Sequence, residues 1–162
     1  MCKKRRTVCP PVPMKTIKTT APAPEWVQLA EDRGFTCGTG KSEYGGLKSK
    51  LLGIGGWAVC LPRSEPDLKK IMSRGRTFQM KATLLRGEPC QCHFNSSVYW
   101  GDHSRECSIC TGYALSKDGM WRQHTWVLRV EGRIVETTHR RLCYFGYVLS
   151  PSECREFAAS NF

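Results

Sequence analysis

Apolar and polar positions alternate with period two through much of the second half of the chain, and recur with a helical period in shorter stretches around it. Cys107 to Leu115 reads as a strand, Lys117-Asp118-Gly119 as a turn, and Met120 to Val130 with Arg133 to Thr138 as a hairpin about Glu131-Gly132. Tyr144 to Leu149 is a last strand. Ser150-Pro151-Ser152-Glu153 then opens a helix through Phe157, with Ser150 or Ser152 as its cap. Upstream, Cys92 to Trp100 is expected as a helix carrying Phe94, Val98 and Tyr99 as apolar positions.

The first half alternates less regularly. EWVQLAEDRGF predicts a short helix stopped by Gly34, and TCGTGKSEYGG a glycine-rich loop. Gly56 to Leu61 reads as a buried strand ending at Pro62, and Glu65-Pro66-Asp67 starts a helix, DLKKIMSRG, closed by Gly75. TFQMKATLL is expected as one further strand, alternating around Phe78, Met80, Ala82 and Leu84, until Gly87-Glu88-Pro89 breaks it. Helices at both ends of a run of strands predict α+β architecture with an antiparallel sheet.

A chain of 162 residues is long enough for one domain with a core of its own, placed at residues 25–162. Hydrophobic content of 40% with 24% charged residues excludes global disorder. Residues 1–24 carry five prolines and read as an extended leader, basic because Lys3, Lys4, Arg5, Arg6, Lys15 and Lys18 precede any acid. Within a net charge of +11, that leader could touch nucleic-acid phosphates or acidic surfaces, but no nucleic-acid motif accompanies it. The sequence has no apolar run long enough to span a membrane, and the basic start lacks an apolar signal region, so a cytoplasmic protein is expected. Ten cysteines then read mostly as reduced thiols. Gly40-Lys41-Ser42 is not a phosphate loop: position 35 is Phe where that motif needs glycine, and no strand pattern precedes it.

Thiol chemistry is the better candidate. Cysteine catalysis needs a thiolate, a histidine to take and return its proton, and a polar group to orient the histidine. A helix N-terminus favours the thiolate, and Cys92 sits where the helix after Gly87-Glu88-Pro89 begins. His124 lies on the first strand of the hairpin and Glu136 on the second. A three-residue loop at Glu131-Gly132-Arg133 would pair Val130 with Ile134 and Leu128 with Glu136, setting His124 and Glu136 on one face. A two-residue loop would send Glu136 to the other face.

The order of motifs resembles the transglutaminase-like branch of the papain-like cysteine enzymes. In that family the cysteine starts a helix, a Val-x-Gly-Tyr type strand follows, the histidine begins a His-x-Trp-Val strand, and an aspartate in Asp-Pro-Thr closes the triad. This chain has Cys92, then Ile109-Cys110-Thr111-Gly112-Tyr113-Ala114, then His124-Thr125-Trp126-Val127, then Glu136-Thr137-Thr138. The match spans roughly residues 88–140 and departs from the family in Glu136 for Asp and Thr137 for Pro. The resemblance implies a cysteine-bearing helix packed on an antiparallel sheet, with Cys92 as nucleophile, His124 as general base and acid, and Glu136 as orienting carboxylate. It implies a peptidase, deamidase or amidase acting on a peptide or protein through a thioester, with no cofactor. The Cys92 backbone N–H and one of Gln91, Asn95 or Gln123 would stabilise the oxyanion. Trp126 is expected in the core or shielding the triad, Trp121 and Trp100 in the core, His139 on the surface and His103 in a loop.

Two alternatives stay open. Cys90, Cys92, Cys107 and Cys110 could hold a structural zinc ion in a binding module. Against this, alternation along the strand sends Cys107 and Cys110 to opposite faces. A papain-like domain could also bind a partner without catalysis.

Overall fold

In the computed structural model, which describes residues 44–62 and 64–162, the alternating runs of the second half become the centre of one sheet. Along the chain the elements are α1 (Gly45–Ile54), β1 (Ala58–Cys60), α2 (Leu68–Arg74), β2 (Arg76–Phe78), β3 (Ala82–Leu84), α3 (Cys92–His103), β4 (Cys107–Leu115), β5 (Met120–Arg129), β6 (Ile134–Glu136), β7 (Cys143–Val148) and α4 (Pro151–Ala159). The expected leader, the helix at EWVQLAEDRGF and most of the glycine-rich loop lie outside the described residues.

The architecture is mixed α+β. The seven-stranded sheet has the order β2-β7-β4-β5-β6-β3, with β1 beside β5. Its centre is antiparallel as expected, while β1 with β5 and β3 with β6 add parallel pairs that the sequence pattern did not predict. TFQMKATLL is not one strand. It supplies β2 at one end of the order and β3 at the other, with exposed Gln79, Met80 and Lys81 between them.

That connection forces the sheet to curl. Six flat strands would separate the outer two by about 24 Å, while the four peptide steps from Phe78 to Ala82 span at most about 14 Å. Closure therefore brings the two ends together. Phe78 of β2, Ile134 of β6, Cys110 and Ala114 of β4, Trp126 of β5 and Tyr144 of β7 form one buried cluster inside the curl, with Ala82 of β3 packed against it.

The opposite face carries the larger core. Ile109, Tyr113 and Leu115 of β4, Trp121 of β5, and Phe145 and Tyr147 of β7 pack with Leu47, Leu51 and Ile54 of α1, Ile71 of α2 and Cys154 of α4. These contacts explain why GGLKSKLLGI is helical despite its glycines. Leu47, Leu51 and Ile54 fall on one helical stripe, and burying them offsets the poor helix propensity of glycine. The start of α4 settles on Ser150 as cap: its hydroxyl accepts from the Glu153 N–H at 3.3 Å while the Glu153 carboxylate accepts from the Ser150 N–H at 2.8 Å. Among the described residues no helix is long and apolar enough to cross a membrane.

Candidate active site

The site begins with a break in strand pairing. On one edge, β5 pairs with β1 over Met120 to Arg122 and with β6 over Val127 and Leu128. Between these partners, Gln123 to Trp126 have no strand partner on that edge among the described residues. The N-terminus of α3 fills the gap. Tyr99 and Trp100 of α3 pack against Val127 of β5 and Val135 of β6. Buried Asn95, Ser96 and Ser97 keep the helix face toward the sheet small and polar.

Cys92 is the first residue of this 12-residue helix. The chain reaches it through Cys90, which is exposed and adopts a left-handed φ of 60°. The Cys92 thiol lies beside the His124 side chain and the Thr125 backbone N–H, a donor left free by the pairing gap, and both stabilise its thiolate form. Burial alone would raise the thiol pKa, but these contacts win and lower it from the ordinary value of 9.0.

The hairpin places the carboxylate. Val127 pairs with Val135 and Leu128 with Ile134, and the Arg129 N–H donates to the Arg133 carbonyl at 2.9 Å. The loop is therefore Val130-Glu131-Gly132, with Gly132 at a left-handed φ of 84°, one residue earlier than expected. The odd loop length keeps Glu136 on the face of His124. The earlier position brings it level with Trp126 instead of Leu128, two residues closer to the histidine along the strand.

His124 Nε2 lies 2.9 Å from Glu136 Oε2, with both side chains buried. Tyr144 donates its phenol hydrogen to the same oxygen at 2.9 Å. Glu136 Oε1 accepts from the Thr138 N–H and the Thr138 hydroxyl, each at 2.9 Å. Burial alone would raise the Glu136 carboxyl. The donors around it, His124 foremost, hold it instead at about 2. His124 is pulled down by burial and up by the Cys92 thiol and the bonded Glu136 carboxylate, and the net shift is upward from 6.5. With Nε2 committed to Glu136, Nδ1 is the edge left for the thiol. A lowered thiol beside a raised imidazole narrows the gap between them, which eases proton transfer from sulfur to nitrogen.

The structure thus brings Cys92, His124 and Glu136 together. It distributes the three oxyanion candidates differently. Asn95 is spent on the backbone: its amide N–H donates to the Glu88 carbonyl at 2.8 Å, and its Oδ1 accepts from the Glu88 N–H at 3.0 Å. Gln123 donates to buried Glu65 at 3.2 Å, and Glu65 also accepts from Tyr113 at 2.6 Å. Gln91 is exposed beside Cys92, and no partner holds its side-chain amide among the described residues.

Asn95 bridges the two halves of the site. The Leu85 and Gly87 N–H groups donate to the Glu136 and Thr137 carbonyls at 2.9 Å, so the segment leading to Cys92 continues the β3–β6 ladder. Asn95 fixes the same segment from the helix side. Asn95→Ala is expected to lower stability by about 1–3 kcal/mol, because the Glu88 backbone loses both partners. Cys92 reactivity should fall with it; thermal unfolding and alkylation rates on the same sample check both effects.

Cys90, Cys92, Cys107 and Cys110 do not form a group able to hold a metal ion; none exists among the described residues. Cys107 and Cys110 belong to different buried clusters, as strand alternation requires, and burial raises the Cys107 thiol to about 11. His103 is the last residue of α3 and not in a loop; its ring stacks on Tyr99 at 4.3 Å. His139 is exposed, Trp121 and Trp126 are buried, and Trp100 is partly buried against the larger core. Sequence reasoning missed Tyr144 and the Thr125 N–H. Neither has a local signal, because both depend on the neighbouring strands. Compared with known family models, curated proteins and solved structures, the chain matches none.

Proposed function

We propose that this protein is a cysteine-dependent hydrolase of the transglutaminase-like, papain-like type, acting on an amide bond of a peptide or protein. The observation that carries this reading is the placement of the helix-borne Cys92 thiol beside His124, whose Nε2 is bonded to a fully partnered Glu136. The Cys92 thiolate attacks the carbonyl carbon, and the oxygen takes the electron pair. The Cys92 backbone N–H and the Gln91 amide are the candidate donors to that oxyanion. Collapse of the tetrahedral intermediate breaks the C–N bond while His124 Nδ1 gives its proton to the leaving amine, leaving a thioester on Cys92. Water then attacks the thioester with His124 as base, releasing the carboxylic acid and restoring the thiolate–imidazolium pair. Glu136 keeps Nε2 protonated throughout, so that Nδ1 is the nitrogen that cycles.

The test is mass spectrometry after brief iodoacetamide treatment near neutral pH, with metal content measured on the same sample. Cys90, exposed two residues away, is the internal comparison. Cys92 is expected to be alkylated about tenfold or more faster than Cys90 in metal-free protein. His124→Ala should abolish that preference. Equal labelling of both, unaffected by His124→Ala, overturns the reading. Stoichiometric zinc protecting Cys92 would replace it with the metal-binding alternative.

A further inference from the structure

Glu136 Oε2 has two donors: the His124 ring and the Tyr144 phenol, each at 2.9 Å. The second is set up by the sheet itself. Tyr144 is opposite Ala114 and Phe78 on β7's two sides, and points into the curl with His124 and Trp126. Its ring lies 6.2 Å from the imidazole and 5.0 Å from the Trp126 indole, while Trp126 lies 6.4 Å from the imidazole and within 15° of its plane. Small residues leave room for this aromatic wall. Gly112 is opposite His124, and Gly146 is opposite Gly112. A Cβ at Gly146 would stand 2.8 Å from the edge of the Trp126 indole.

A tyrosine in this place has a chemical consequence beyond packing. A carboxylate oxygen that accepts a phenol hydrogen has less electron density to offer the imidazole on the same oxygen. We propose that Tyr144 is a positioning residue of the site that sets the strength of the Glu136–His124 bond and so limits how tightly His124 holds its proton. This deepens the cysteine-hydrolase reading, on which its catalytic meaning rests: an imidazolium held too firmly is a poor acid toward the leaving amine.

Other charged or titratable groups face the pair from each packed element. Cys92 and His93 approach from α3, and His93 is itself lowered by burial and by His124. Arg141 and Cys143 flank Tyr144. Removing Cys92 isolates the effect of the phenol from the largest of these couplings.

The experiment is histidine ring NMR titration in the full chain with Cys92→Ala, comparing Tyr144, Tyr144→Phe and site-specific 3-fluorotyrosine at 144. The His124 signal is assigned by its loss in His124→Ala. Tyr144→Phe should raise the His124 pKa by about half a unit or more, because Glu136 becomes a stronger partner. Fluorotyrosine, a stronger donor of the same shape, should lower it. An unmoved or lowered His124 pKa in a folded Tyr144→Phe protein overturns the proposal and leaves Tyr144 a packing residue. If the phenylalanine variant does not fold, the fluorotyrosine shift alone decides, and its absence overturns the proposal equally. The titration needs no substrate and no free Cys92. A failed alkylation test would therefore remove the hydrolase reading without touching this result, and an unmoved titration would leave the hydrolase reading in place.

Discussion

Glu136→Gln is expected to abolish the preferential alkylation of Cys92 and to lower hydrolysis of any substrate by the order of 10³–10⁴-fold, with the fold retained. The amide matches the carboxylate in shape but not in hydrogen-bond polarity. If its oxygen keeps the two bonds from Thr138, its NH₂ must face His124 Nε2 and the Tyr144 phenol, where only acceptors fit. The imidazole then prefers the tautomer with Nε2 bare and Nδ1 protonated, which cannot take the thiol proton. A wrong tautomer in such a relay costs losses of that order. Glu136→Ala has a second consequence. It leaves the Thr138 N–H and hydroxyl, the Tyr144 hydroxyl and the His124 ring without their shared acceptor in a buried site, at a cost of about 3–5 kcal/mol. For a chain of this size that lowers Tm by roughly 10 °C or more. Calorimetry together with alkylation rates separates the variants: glutamine should fail mainly in reactivity, alanine in both. A glutamine variant that alkylates Cys92 at the wild-type rate would remove Glu136 from the relay.

Much of the site was legible because it depends on local chemistry. A glycine–proline break before a helix places Cys92 at an N-terminus. Alternation from Met120 onward places His124 on a strand, and a Glu followed two residues later by Thr supplies a carboxylate with its own local donor. What the sequence left open was parity. Whether Glu136 shares a face with His124 turns on one residue of loop length, and Gly132 is compatible with either turn. The structure resolves it with the three-residue loop Val130-Glu131-Gly132.

The errors have a common physical origin. Alternation in TFQMKATLL reports burial on one side, and two short strands at opposite ends of a curled sheet satisfy it as well as one continuous strand. Only the partners of β2 and β3, which lie far along the chain, tell these apart. Asn95 and Gln123 looked like oxyanion donors because they neighbour the nucleophile and the base in sequence. Their amides are consumed by Glu88 and Glu65, which only the tertiary structure brings to them. Tyr144 was hidden for the same reason: in LCYFGYVL nothing distinguishes the tyrosine that meets Glu136 from the one three residues on.

Acid stability gives the second large effect. Glu136 is held at about 2 in the folded protein against an ordinary carboxylate value of 4.5. A depressed carboxyl stabilises the fold fully above its unfolded value, and that stabilisation is lost as pH falls through the folded one. A displacement of this size corresponds to about 3 kcal/mol, lost progressively below pH ~4.5 and gone near pH ~2. His124 works in the opposite sense. Its raised value stabilises the fold fully below the ordinary 6.5, and that contribution fades as pH rises through the folded value. Both contributions are complete between about pH 4.5 and 6.5, where stability from this pair should be greatest. Glu153 is also depressed, chiefly by its bond to Arg74, and adds its own acid dependence far from the site. Urea unfolding of the wild type and of Glu136→Gln at pH 5.5, 4 and 3 therefore isolates the Glu136 share as the difference between the two curves. The gap should narrow by roughly 1–2 kcal/mol over that range, since glutamine has no proton to gain. Parallel curves would mean that Glu136 is not held as an ion in the folded protein. His124 would then lack the fixed charge that helps to raise it.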